Sequence, residues 1–113
     1  MPFAKYEGQR PRGATEIVSI RRNGQIAFNS KAVQSFSVGS FKFAELYFDR
    51  ANRRIGIQLT NSKDKGARKI MSLGSTALVT GAGFLRHFGI NISKARKFQP
   101  KYDRAKKIVI LNL

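Results

Sequence analysis

Residues 16–36 read Glu16-Ile-Val-Ser-Ile-Arg-Arg-Asn-Gly-Gln-Ile-Ala-Phe-Asn-Ser-Lys-Ala-Val-Gln-Ser-Phe36. Two short apolar runs flank Asn23-Gly24, a pair in which both residues accept positive φ, so the stretch predicts a β-hairpin. Asn29 and Ser30 then offer N-caps to a short helix whose Ala32, Val33 and Phe36 share one face. Further on, Phe41-Lys-Phe-Ala-Glu-Leu-Tyr-Phe48 and Arg53-Arg-Ile-Gly-Ile-Gln-Leu59 flank a turn at Asp49–Asn52. Ile55, Ile57 and Leu59 keep period two, which predicts a second hairpin. Phe41, Phe43 and Tyr47 share strand parity and are expected to fill the core. The first half reads ββαββ.

The polar stretch Thr60–Gly66 joins this unit to a second that resembles it. Ile20, Gly24, Ala27, Phe28 and Ala32 match Ile70, Gly74, Ala77, Leu78 and Ala82 at an offset of 50. Phe36 and Val38 match Phe88 and Ile90 at 52, and Phe48–Leu59 lies over Tyr102–Leu113 without a gap at 54. An internal duplication accounts for this order, with small insertions in or near the helix and in the loop after it. Short helices are expected near residues 30–37 and 80–89. A single ββαββ unit cannot bury both faces of its strands, whereas two can close a barrel about a pseudo-twofold axis, with no free sheet edge. The expectation is a mostly β fold: a flexible basic arm over 1–15, then one duplicated domain over 16–113, with halves 16–60 and 67–113 and a linker at 61–66.

The run Arg22–Ala32, followed by Phe41–Asp49 and Arg53–Leu59, resembles the AbrB/MazE-like swapped-hairpin family of DNA-binding regulators, which pairs a Gly-Gln or Gly-Arg hairpin with a short helix and a second hairpin. The resemblance covers most of the chain once the second half is counted. It implies a swapped-hairpin barrel in which two halves of one chain replace the family's homodimer, and a DNA-binding transcription regulator associated with the nucleoid.

Composition narrows the function classes. The 113 residues carry 22 Lys+Arg against 6 acids, a formal charge of +16, so a polyanionic partner is expected. Without Cys there is no disulfide, thiolate metal site or thiol nucleophile, and an intracellular, cytoplasmic chain is expected. No apolar run is long enough to span a membrane. His87 is the only His, too little for a transition-metal site, and is expected to serve structure or nucleic-acid contact. The acids Glu7, Glu16, Glu45, Asp49, Asp64 and Asp103 are scattered, and Asp49 and Asp103 read as turn residues. Gly81-Ala-Gly83 lacks the Gly-Lys-Ser/Thr ending of a phosphate-binding loop. No catalysis, cofactor, metal or small-molecule substrate is expected; self-association remains open.

The basic residues carry the remaining signal. Residues 1–60 have a net charge of +6 and residues 61–113 of +10. Candidate nucleic-acid contacts are Lys5, Arg10 and Arg12 in the arm, and Arg21, Arg22 and Asn23 at the first hairpin tip. Lys63, Lys65, Arg68 and Lys69 cluster around the linker, and Lys94, Arg96, Lys97, Lys101 and Arg104 near the last hairpin. The second tip, Met71-Ser72-Leu73, is uncharged, so the binding face is expected to be asymmetric, with this tip free to pack against something else or another subunit. Two rival functions remain: single-strand or RNA binding on an open sheet, as in Whirly-type proteins, with aromatics such as Phe41, Phe43, Tyr47, Phe48, Phe98 and Tyr102 stacking on bases; and a non-enzymatic assembly or scaffold protein.

Overall fold

A computed structural model describes residues 15–63 and 66–113. The expected arm residues Lys5, Arg10 and Arg12, and Lys65 of the linker, lie outside the described residues.

The first hairpin forms from β1 (Val18–Ile20) and β2 (Gln25–Phe28), with Val18 opposite Phe28 and Ile20 opposite Ile26. Its turn differs from the expected two-residue Asn-Gly type. Gly24 N donates to Arg21 O at 2.9 Å and Arg21 N to Gln25 O at 2.8 Å, and only Gly24 takes positive φ, +87°. Asn23 instead accepts Gln25 N on Oδ1 at 3.1 Å, an Asx turn that lets a longer loop close on the single glycine.

Helix α1 (Ser30–Phe36) begins where Asn29 Oδ1 accepts Ala32 N at 2.8 Å. The same oxygen accepts Ile17 N, and Asn29 Nδ2 donates to Thr15 O, so one side chain fastens the helix start to the strand entering β1. Ala32 and Phe36 are buried, as the spacing requires, and Ser37 ends the helix in the left-handed region. A 3₁₀ turn at Val38–Ser40 leads to the second hairpin, β3 (Phe43–Asp49) and β4 (Arg54–Thr60).

The second half repeats the order: β5 (Arg68–Leu73), β6 (Thr76–Thr80), α2 (Ala82–His87), β7 (Arg96–Phe98), β8 (Lys101–Asp103) and β9 (Ile108–Asn112). The strand that is continuous as β3 in the first half is broken here at Gln99-Pro100, because proline has no N–H to give a ladder.

All nine strands join one antiparallel sheet, curled into a half-barrel, in the order β7-β1-β2-β6-β5-β3-β4-β9-β8. The edge-free ladder expected from sequence is open between β7 and β8, which are instead consecutive in the chain. The sheet has two wings, β7-β1-β2-β6-β5 and β3-β4-β9-β8, joined where Phe43 and Ala44 pair with Lys69 and Arg68.

The halves exchange equivalent contacts. Leu59 N donates to Lys107 O and Leu113 N to Arg53 O, both at 2.9 Å, a reciprocal pair at the offset of 54. Arg53 and Lys107 both take positive φ, and Asp49 and Asp103 each cap their turn by accepting the backbone N–H three residues on. Phe48 packs on Phe88 at 5.1 Å between centroids, while its counterpart Tyr102 stacks on Phe36 at 4.6 Å. β5 meets β3 through Lys69 and Phe43 as β1 meets β7 through Ser19 and Lys97, which satisfies the offsets of 50 and 54 together.

One matched segment is corrected. Ile20 lies opposite Ile26, six residues on, whereas its counterpart Ile70 lies opposite Val79, nine residues on. The insertion therefore falls inside the second hairpin, not first at the helix, so Gly24 and Gly74, Ala27 and Ala77, and Phe28 and Leu78 are not structural equivalents.

The core lies inside the curl, built from alternate residues of every long strand: Ile26 and Phe28 on β2, Ile55, Ile57 and Leu59 on β4, Ala77 and Val79 on β6, Val109 and Leu111 on β9. Leu85 of α2 and Ala32 and Phe36 of α1 complete it. Each fully buried Leu, Ile or Phe contributes about 1.5–3 kcal/mol. The expected parity of β3 is reversed. Ala44, Leu46 and Phe48 stand opposite Leu59, Ile57 and Ile55, and directly opposed side chains share a face, so these three turn inward. Phe43 and Tyr47 point outward, and Phe41 packs on the core from just before the strand.

Candidate nucleic-acid interface

The outer face of the first wing follows from the ladder registers. One cross-strand row runs Lys97, Ser19, Ala27, Leu78 and Met71 over β7, β1, β2, β6 and β5. In the next row Arg21 lies beside Gln25, its Nη1 donating to Oε1 at 3.4 Å, and Gln25 stands opposite Thr80. Lys69 shares the outer parity of Met71 on β5, because the intervening Ile70 is in the core. Among the described residues no carboxylate stands on this face. Its centre is small or uncharged, and its flanks are cationic.

At the β1 and β7 edge the first hairpin tip meets the loop before β7. Arg21, Arg22 and Asn23 line a shallow open groove with Ile92, Ser93 and Ala95. A continuation of that surface is lined by Asn91, Ser93, Lys94, Ala95 and Arg96. Arg96 pairs with Ile20 and rests its guanidinium 5.0 Å from the Phe98 ring centre, a cation–π contact that leaves the side chain exposed. Arg21, Arg22, Lys94, Arg96 and Lys97 are all exposed, and they come from opposite halves of the chain. Arginine forks and lysine point charges on one edge without described carboxylates suit a row of phosphates.

The structure divides the clusters that the sequence suggested. Lys94, Arg96 and Lys97 join the first tip, but Lys101 stands opposite Ile110 on the outer face of the second wing. Arg104 lies over Tyr102, 5.8 Å from the ring centre, at the β8–β9 turn. The field of Arg104, with that of Lys31, reaches Glu16, whose carboxyl is held below its ordinary value first by a hydrogen bond from Ser35. The separation arises because Gln99-Pro100 sends β7 to one wing and β8 to the other. Arg68 and Lys69 start β5 at the seam between wings, Lys63 is exposed in the connection after β4, and Arg68 reaches toward Gly83 of α2. His87 is exposed, edge-on to Phe88 at 4.8 Å.

The second wing presents a different outer face: Phe43, Glu45 and Tyr47 on β3, Gly56 and Gln58 on β4, Ile108 and Ile110 on β9, Lys101 and Asp103 on β8. Tyr47 is 53% exposed, and its hydroxyl donates to Glu45 Oε1 at 2.8 Å. At the hairpin end Asp49 accepts from Asn52 and, at 2.8 Å, from Arg54, and these bonds lower its pKa to about 2. Carboxylates are thus fixed on this side.

Sequence reasoning named Lys94 but passed over its neighbours Asn91, Ile92, Ser93 and Ala95. Ser93 N donates to Asn91 Oδ1 at 2.8 Å, and that Asn-x-Ser spacing was the available signal for an ordered turn. Its position beside Arg22 rests on the pairing of β1 with β7, residues far apart in the chain. Among the described residues no three His, Asp or Glu side chains converge as metal ligands would. Compared with protein-family models, curated proteins and solved structures, the chain matches none.

Proposed function

We propose that the protein is a non-enzymatic DNA-binding protein, a transcription regulator of swapped-hairpin type, that holds duplex DNA through phosphate contacts along the first wing. The supporting observation is the meeting of the Arg21-Arg22 tip of one half with the loop and edge strand that carry Lys94, Arg96 and Lys97 in the other, on an edge without described carboxylates. Arg22 and Asn23 at the exposed tip are the groups placed to reach base edges; the lysines position the complex.

The exposed Tyr47, on the same outer face as Phe43, supports a second reading, stacking of unpaired bases on the second wing. Duplex binding is preferred because Glu45 and Asp103 share that outer face and repel a phosphate backbone, whereas among the described residues the outer face of the first wing carries no carboxylate.

Retention of the full chain on duplex DNA, single-stranded DNA, RNA and an acidic protein, each over a salt series, tests this reading. Neutralising one phosphate per converging cation gives a logarithmic salt slope of roughly 4 to 5 on the duplex. Retention insensitive to ionic strength, or equal retention on the acidic protein, would move the assembly-protein reading ahead.

A further inference from the structure

The second hairpin has a feature that phosphate binding does not use. Among the described residues, the exposed large apolar side chains are Tyr47, Met71 at 39% and Leu73 at 53%, and the last two share one hairpin. They alternate along β5 and therefore point to the same outer face. The strands close at Leu73 opposite Thr76 through Gly74-Ser75, with Gly74 at φ +64°. This tight two-residue turn is pinned further by Thr76 Oγ1 donating to Leu73 O at 3.0 Å. The three residues inserted relative to the first hairpin lengthen this one, and Leu73 stands at its closing pair.

Self-association through the tip would bring together two chains that each carry +16. The exposed cation Lys69, on the same outer face at the base of this hairpin, favours a polyanion. Lys69 and Leu73 are four strand residues apart, about 13 Å. A tip with that spacing can hold a phosphate at its base while Leu73 and Met71 reach across a groove to a base step. Duplex DNA supplies both a charged rim and an apolar slot between stacked bases.

We infer that Leu73 and Met71 form a wedge that enters the minor groove, unstacks a base step and bends the DNA; this rests on the duplex-binding reading above. The two hairpin tips divide the work: the arginine tip holds the backbone and the apolar tip deforms it. A kink of roughly 20–90° is expected of such a wedge.

The test uses the full chain and a 30-base-pair duplex containing a central TA step, labelled at both ends for energy transfer, with 2-aminopurine at the step. The parent is expected to shorten the end-to-end distance and raise 2-aminopurine fluorescence. The double variant Met71→Ser, Leu73→Ser should lose both signals while keeping the parent's salt slope and thermal midpoint, and Leu73→Met should retain the bend. Retention on the duplex without bending by the parent would overturn the wedge and leave the binding reading standing; failure of the parent to be retained on any duplex would overturn both. A double serine variant that bends DNA like the parent would overturn the wedge. So would a parent dimer in sedimentation velocity that the double variant dissolves, or preferential binding of the parent tip to phosphatidylglycerol vesicles.

Discussion

The two hairpins of the first wing share a sheet and a pseudo-twofold relation, yet their tips are opposite in chemistry. Arg21-Arg22-Asn23 is short, charged and tied down: Gly24 is buried, its O accepts Gly81 N at 3.0 Å, and α2 begins directly against it. Met71–Thr76 is longer, uncharged and free of contact around its glycine. Because β2 and β6 are antiparallel, the tips also leave the sheet at opposite ends. A duplicated unit would start with two identical arms, and the two tips now differ in charge and in length. Burial constrains inward residues through packing, whereas a solvent-facing turn can change charge and length at little cost to stability.

The largest expected effect contrasts the two tip glycines. At Gly24, φ is +87° and a Cβ would stand 2.5 Å from Ala82 Cα, so Gly24→Ala combines left-handed strain with a backbone clash. Roughly 2–5 kcal/mol of unfolding free energy should be lost in urea titrations. Gly74 also has positive φ, +64°, but open space around it, so Gly74→Ala should cost only about 1–2 kcal/mol. Equal losses at both positions would break the distinction between an anchored tip and a projecting one.

Next in size is the charged tip. Arg22→Ala should weaken duplex binding by roughly 1–3 kcal/mol if the guanidinium reads a base, with no change in the urea midpoint, since the side chain is exposed. Unchanged affinity in fluorescence anisotropy would remove the tip from the interface. The division between wings gives a smaller contrast: Lys97→Ala should lower the salt slope by about 0.9, whereas Lys101→Ala, on the other wing, should leave it as it was. Equal reductions would mean that DNA spans both wings.

The smallest effect lies at the β3–β4 turn. Asp49 has its pKa lowered to about 2 by the hydrogen bond from Asn52 and then by Arg54. Its folded value is below the unfolded one near 3.8, so its stabilisation is present above pH 3.8 and is lost as pH falls through about 2. Asp49→Asn should flatten the stability profile between those values, as thermal melts across the range would register; an unaltered profile would show that the carboxyl is not coupled to folding.

The strands of both first-half hairpins, both helices and the capping roles of Asn29, Asp49 and Asp103 were legible in the sequence, whereas Met71-Ser72-Leu73, expected as the second tip, belongs to β5 and the turn falls at Gly74-Ser75. Each depends on neighbours within a few residues: an Asx bond, a period of two, a capping side chain. The drift between repeats was legible only in part, because Gly74 invites alignment with Gly24 although the ladder places three more residues in its hairpin. The interface was half legible. Arg21 and Arg22 stand out at a turn, but their association with Lys94 and Arg96 requires β7 to reach across to β1. The cluster running on to Arg104 follows sequence proximity, which Pro100 breaks.

By itself the sequence determined the class of the fold, its two repeated units and the sign of its surface, since hydrophobic period, turn chemistry and net charge are summed locally or over the whole chain. The tertiary structure alone decided which side of β3 is interior. Phe41, Phe43 and Tyr47 form one apolar series and Ala44, Leu46 and Phe48 another, so alternation could not choose between them. Pairing with β4 did, because Ile55, Ile57 and Leu59 alternate with the small or polar Gly56 and Gln58 and have only one buried side to offer. The same dependence on a partner strand sets Lys97 opposite Ser19 and sends Lys101 to the other wing: a residue's face and neighbours are properties of the pairing, and pairing is chosen by burial over the whole molecule.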